Sequence, residues 1–92
     1  MAIEVRIPTI LRQYTDGQKA VEGNGDTLAE LFADLETRHT GIHARIVEGD
    51  QLRRFVNVYL NDEDVRFLDG INTKVSDGDN ITILPAVAGG AA

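Results

Sequence analysis

The sequence predicts an α+β domain in which one main helix is packed across a mixed sheet of four to five strands. Three observations carry that expectation. Ile3, Val5 and Ile7 alternate with Glu4 and Arg6 at the period of a half-buried strand, and FVNVYL (55–60) and NITIL (80–84) give the same signal. Leu28, Leu31, Phe32 and Leu35 recur at the spacing of a single apolar helical stripe. A helix with one apolar stripe needs a sheet face to cover, and the aliphatic faces of these strands supply it.

Taken in chain order, the first strand ends at Pro8. After a short connection, Asp16-Gly17 reads as a turn, and QKAVE (18–22) returns as a second strand to close an opening hairpin. Gly23-Asn24-Gly25 breaks the pattern. Thr27 and Glu30 then form the S/T-x-x-E signature of a capped helix start, and Gly41 supplies a left-handed residue after a helix that stops near Thr40. Residues 42–53 scatter Ile42, Ile46, Val47 and Leu52 among charges and give no assignable element. In 55–60, Val56, Val58 and Leu60 face one way and Phe55, Asn57 and Tyr59 the other. Asn61-Asp62 turns the chain, DVRF (64–67) is expected as a short return strand, and INTKV (71–75) has room for one helical turn. In the last strand Ile81 and Ile83 face the core, with Leu84 opposite. Residues 1–85 form the domain and 86–92 a flexible C-terminal tail.

Ninety-two residues suffice for one domain with one modest core and little room for an enclosed active site. Nine Lys and Arg against fifteen Asp and Glu give a net charge of −6, which disfavours nucleic acid and suits solubility and contact with a basic protein surface. With no cysteine, the chain cannot be a disulfide scaffold, an iron–sulfur protein or a thiolate zinc site. MAIEVRIPT alternates instead of forming a continuous apolar core, so no secretory signal is expected there. No apolar run approaches the roughly 20 residues of a membrane helix. The expectation is a cytoplasmic monomer with no membrane association.

Few side chains suggest catalysis. His39 and His43 are four apart, but Gly41 between them argues against a shared helical face, and no third metal ligand is evident. Asp62, Glu63 and Asp64 fall at a hairpin turn, where local hydrogen bonding accounts for them. Gly23 and Gly25 lack the residues of a phosphate loop. No catalytic residue and no bound metal or cofactor is expected. Phe55, Tyr59 and Leu84, with Val87 in the tail, form a candidate docking patch on the sheet face away from the helix.

The chain ends ILPAVAGGAA. A Gly-Gly pair between strands would be a turn, but at a terminus it joins nothing. A segment without side chains can enter a narrow channel, and Pro85 to Gly90, fully extended, reaches about 20 Å. Together with RFVNVYLNDEDVRF and the DGD turn at 77–79, this ending resembles the ubiquitin-like sulfur-carrier family, the relatives of MoaD and ThiS and most of all the CysO type of actinobacteria. The resemblance covers nearly the whole chain, from IPTILR to AVAGG.

The resemblance implies a β-grasp fold and a protein co-substrate rather than an enzyme. The family's working carboxylate corresponds to Gly90, with Ala88, Gly89 and Gly90 threading into partner enzymes. It also implies three partners. A ubiquitin-activating-type enzyme spends ATP on an acyl-adenylate and installs sulfur. A cysteine synthase-like enzyme accepts that sulfur and a zinc metallopeptidase of the JAMM type releases the product, with cysteine or another sulfur-containing metabolite as the destination. Here Ala91 and Ala92 cover Gly90, either as a precursor extension, with the Gly90–Ala91 bond as the expected processing site, or as a cloning remnant that would look the same. Two other readings stay open: a protein modifier joined through Gly90 to lysines, and a binding module whose tail is incidental.

Overall fold

The computed structural model describes residues 2–54 and 56–85; Met1, Phe55 and residues 86–92 fall outside that range. Strands β1 (Ile3–Arg6) and β2 (Ala20–Gly23) pair antiparallel with Val5 opposite Val21, the expected opening hairpin. The connection between them has structure of its own, a 3-10 helix over Thr9–Tyr14 that buries Leu11. Pro8 starts it in extended conformation. The Thr15 side chain, fully buried, closes it by donating a 2.9 Å hydrogen bond to the Gln18 carbonyl. Asp16 and Gly17 then turn the chain with φ of 55° and 82°.

Helix α1 (Leu28–Arg38) begins as its sequence requires. The Thr27 hydroxyl accepts from the Glu30 N–H at 3.3 Å. Glu30 returns the bond to the Asp26 N–H at 2.9 Å, one residue earlier than in the reciprocal pairing of a capping box. Leu28, Leu31, Phe32 and Leu35 are all fully buried. Gly41 has the expected left-handed conformation at φ 98°, but the chain coils again behind it as a short helix α2 (Ile42–Ile46). The Glu36 carboxylate joins the two helices by accepting from the N–H groups of Gly41 and His43, each at 2.9 Å. Those two bonds hold the Glu36 carboxyl below its ordinary pKa.

Segment 42–53, unassigned from sequence, continues as a two-stranded hairpin, β3 (Val47–Glu48) with β4 (Gln51–Leu52). Strand β5 (Val56–Leu60) follows and turns through Asn61 and Asp62, at φ 48° and 79°, into β6 (Glu63–Asp64). Positive φ at both loop residues is the mirror-type turn whose twist suits a two-residue hairpin. The return strand expected over 64–67 ends at Asp64. The Asp64 carboxylate accepts from the Arg66 N–H at 2.9 Å and caps a 3-10 turn over Val65–Phe67, which drives Val65 into the core. A second 3-10 turn, Gly70–Asn72, is the single helical turn expected there.

Strand β7 (Asn80–Pro85) completes a five-stranded mixed sheet in the order β2-β1-β7-β5-β6. It runs parallel to β1 and antiparallel to β5, with Val5 opposite Ile81 and Val58 opposite Ile83. These four side chains sit on the face covered by α1 and are buried, while Val56 and Leu60 pack against the same core at its margin. No described helix is long and apolar enough to cross a membrane.

Candidate functional site at the root of the C-terminal tail

β7 sets where the chain leaves the described fold. β1 pairs with β7 from Asn80 to Thr82 and stops, because Pro8 turns the chain away. β5 accompanies β7 further, with Val56 opposite Pro85. The last three residues of β7 therefore have a sheet neighbour on one side only. Pro85, the last described residue of β7, has no N–H to offer the ladder. Residues Val87, Ala88, Gly89, Gly90 and Ala91, and the docking candidate Phe55, lie outside the described residues.

Two grooves flank this exit. One, of about 340 Å³, lies between the Thr9–Tyr14 helix and the start of β5 and is lined by Tyr14, Arg45, Arg53 and Val56. The other, of about 510 Å³, lies on the side of β1 and is lined by Arg6, Arg12, Lys19 and Leu84. Pro8, Ile10 and Pro85 line both and form the ridge between them. Ile10 is 62% exposed, which is unusual for an aliphatic side chain so close to the core.

Several of the cations are held in place. Arg45 donates through Nε to the Tyr14 hydroxyl at 2.7 Å and lies 5.7 Å from the centre of its ring. Arg12 Nε donates to the Ile7 carbonyl at 3.1 Å, and Arg53 Nε to the Ala44 carbonyl at 2.5 Å. Arg66, from the turn after β6, spans the entry to β5. Its guanidinium donates to the carbonyls of Arg53 at 2.9 Å, Arg54 at 3.4 Å and Val56 at 2.7 Å, and also to the Asn57 side chain. That one side chain fixes the backbone directly across from Pro85.

Of the docking candidates, Tyr59 and Leu84 share the sheet face away from α1. Tyr59 is opposite Thr82 and Leu84 opposite Asn57, so the two are diagonal neighbours, Tyr59 half-buried and Leu84 exposed. Sequence reasoning missed Ile10 and the exposed pair Phe67-Leu68, of which Phe67 is 87% exposed. IPTIL gave a possible signal for Ile10, since two aliphatic residues next to each other in a helical turn cannot both face inward. His39 caps the end of α1, while His43 belongs to α2. Among the described residues no three His, Asp or Glu side chains gather as a metal site. Asp62 serves the turn and Asp64 the cap, so the acidic group is divided between local tasks.

With the fold and the tail root placed, comparison with known proteins decides the family. The ThiS family matches residues 5–90, nearly the entire chain. This chain belongs to the ThiS family. It is 54% identical over 93 residues to the sulfur carrier protein CysO of Mycobacterium tuberculosis, an alignment covering 98% of this chain and all of the relative. It is 33% identical, over 98% of its length and all of the relative's, to small archaeal modifier protein 3 of Haloferax volcanii. Among solved structures it superposes with TM-score 0.92 and 58% identity on a chain of the Amycolatopsis orientalis BexX/CysO complex, covering 97% of this chain and all of that one. The ThiS-family architecture is the β-grasp, and the five-stranded sheet with α1 across it is that fold.

Proposed function

We propose that this chain is a sulfur carrier whose working group is the carboxylate of Gly90, freed by hydrolysis of the Gly90–Ala91 bond. The observation that carries the reading is likeness to a sulfur carrier along the whole chain, with a family match that runs through Gly90 and leaves Ala91 and Ala92 outside. The chemistry explains why the two alanines must go. A free α-carboxyl has a pKa of about 3.5 and is ionised at neutral pH, where it attacks the α-phosphorus of ATP but resists nucleophiles itself. In an adenylating partner it displaces pyrophosphate to form an acyl-adenylate. Hydrosulfide, or a persulfide followed by reduction, then displaces AMP and leaves a thiocarboxylate. Gly90 held in a peptide bond has no oxyanion to offer and cannot enter this sequence.

The thiocarboxylate sulfur then attacks an activated serine carbon on a cysteine synthase-like acceptor, expelling its leaving group and forming a thioester. The α-amino group of that amino acid then attacks the thioester carbon in an S-to-N shift, which forms an amide and frees the thiol. Hydrolysis of the resulting amide by a JAMM-type zinc metallopeptidase releases cysteine and returns the Gly90 carboxylate. The same peptidase class suits removal of Ala91-Ala92, since both tasks cleave after Gly90. The chain itself acts as co-substrate, and ATP is consumed on the partner.

To test this, the full chain and a chain ending at Gly90 are each incubated with ATP, a sulfide source and an adenylating enzyme, and intact mass is followed. Replacement of oxygen by sulfur is expected on the trimmed chain alone. Equal gain on the untrimmed chain would defeat the processing step, and no gain on either would defeat the carrier reading. The likeness to an archaeal modifier protein favours one second reading, conjugation of Gly90 to lysine amines. Accumulation in cells of higher-mass conjugates in place of the thiocarboxylate would select it.

A further inference from the structure

The charges of this chain are unevenly spread, with cations gathered at the tail root. Five of its nine cations, Arg6, Arg12, Lys19, Arg45 and Arg53, line the two grooves beside Pro85, whereas none of its fifteen Asp and Glu side chains lines either. Two carboxylates stand just outside, Glu4 at 3.7 Å from Arg6 and Glu48 at 4.0 Å from Arg53, and leave Arg12, Lys19 and Arg45 as the unneutralised part of the group among the described residues. On a chain of net charge −6, an even spread would have made this surface acidic. The cations also surround an apolar ridge, with Ile10 standing out from between Pro8 and Pro85. Carboxylates collect at the opposite end of β7, where Asp77, Asp79, Asp62 and Glu63 flank Asn80 and the β5–β6 turn.

We propose that this cationic collar docks an acidic protein surface, the rim of the cavity through which an adenylating partner admits the tail. Ile10 seats against an apolar side chain of that rim. The inference rests on the carrier reading and adds to it a recognition surface separate from the group that reacts. The physical case has three parts. Residues from Ala86 to Gly90 offer no charge before the carboxylate and, Val87 apart, no side chain larger than a methyl, so long-range attraction must come from the body. A positive ring around the exit points the tail at a negative rim during encounter, which raises association rates and fixes orientation. Arg45 and Arg12 are already tied to Tyr14 and to the Ile7 carbonyl, which lessens the side-chain ordering that docking would otherwise cost.

The experiment measures ATP–pyrophosphate exchange by an adenylating enzyme as a function of carrier concentration, using chains that end at Gly90. Lys19→Glu places the opposite charge in the collar. Lys74→Glu makes the same change in net charge beside the start of α1, outside both grooves. Thermal melts confirm that each variant is folded. Lys19→Glu should raise KM for the carrier about tenfold at low salt, shrinking as salt screens the pair, whereas Lys74→Glu should change it less than about twofold. Ile10→Ser should raise KM with little change in its salt dependence. Equal KM values for the Lys19 and Lys74 variants would overturn the collar and leave the carrier reading standing. Absence of exchange with the unmodified trimmed chain would overturn both. Binding of a labelled DNA duplex that Lys19→Glu abolishes, with exchange unaffected, would assign the collar to nucleic acid instead.

Discussion

Replacing Arg66 should loosen the strand pair that presents the tail while leaving the helical half of the domain intact. In the variant Arg66→Met the aliphatic stem is kept and the guanidinium lost, and with it the bonds to the carbonyls of Arg53, Arg54 and Val56 and to Asn57. Hydrogen bonds from a charged donor contribute about 1.5–3 kcal/mol each where both partners are shielded. Arg66 is exposed, so water re-solvates the released carbonyls and the total falls to about 1–2 kcal/mol. For a domain of this size that lowers the melting temperature by roughly 5–15 °C. Urea denaturation gives the free energy, and amide exchange gives the location. Protection should fall in β5 around Val56–Val58 more than in α1, because the clamp holds only the entry to β5. Arg66→Lys should recover less than half of the loss, since an ammonium cannot span several carbonyls as the planar fork does. A melting temperature unchanged in Arg66→Met would refute the clamp, and full recovery by lysine would show that charge, not geometry, was the contribution.

Two glycines should rank in a definite order. A Cβ at Gly25 would lie 2.6 Å from the Leu31 backbone nitrogen and 2.9 Å from the Glu30 carbonyl carbon, so Gly25→Ala should cost about 2–3 kcal/mol by urea denaturation. At Gly49 nothing lies within 4 Å but φ is 65°, and Gly49→Ala should cost only about 1 kcal/mol; the reverse order would contradict the packing of α1 on the 23–25 turn. Asp62→Gly puts the residue favoured at φ 79° into the β5–β6 turn and should raise the melting temperature by a few degrees, about 0.5 kcal/mol. Asp34 is held below its ordinary pKa first by its bond with Arg38 and then by the Asn24 N–H, and Glu36 by the two N–H groups it caps. Carboxyls depressed in the folded state stabilise it above their unfolded pKa of about 4 and lose that contribution as pH falls through the lower folded values. Stability should therefore drop below about pH 4, and the drop should be smaller in Asp34→Asn; an acid limb of identical depth would remove Asp34 from the account.

What the sequence made legible was whatever repeats over more than one period. The stripe of α1 spans two turns, and β5 and β7 alternate through five residues or more, so their inward faces could be read before the structure was known. Helix α2 is one turn and β3 and β4 are two residues each, too short for any period to register. DVRF failed as a strand for another reason. Its alternation was compatible with β6, but the Asp64 side chain competes for the backbone and wins by capping Arg66. At the site, Tyr59 and Leu84 were legible from alternation, whereas the collar was not. Its five cations come from β1, the Thr9–Tyr14 helix, the turn before β2, α2 and the segment before β5. Arg6, Arg12 and Lys19 meet where β1 ends at Arg6 while β7 runs on beside β5, and Arg45 and Arg53 meet where the Thr9–Tyr14 helix faces the start of β5.

That early stop of β1 ties the fold to the proposed chemistry. A carrier tail must leave the domain from a firm support, or its reach is lost to motion of the root, yet it must not be captured by the sheet. β7 satisfies the first need by lying at the centre of the sheet, with β1 and β5 on either side as far as Thr82. It meets the second in part by outrunning β1, so that Ile83–Pro85 have β5 alone beside them and Pro85 has no N–H to give a ladder. The space left where β1 would have continued is the groove that collects Arg6, Arg12 and Lys19. Filling it, for instance by Thr9→Trp on the groove wall, should leave the melting temperature close to that of the parent, because Thr9 is already exposed. If the collar is where partners seat, the same change should slow adenylation of the trimmed chain at limiting carrier concentration. A variant that melts normally and is adenylated at the parent rate across the whole concentration range would show that partners approach the tail from elsewhere.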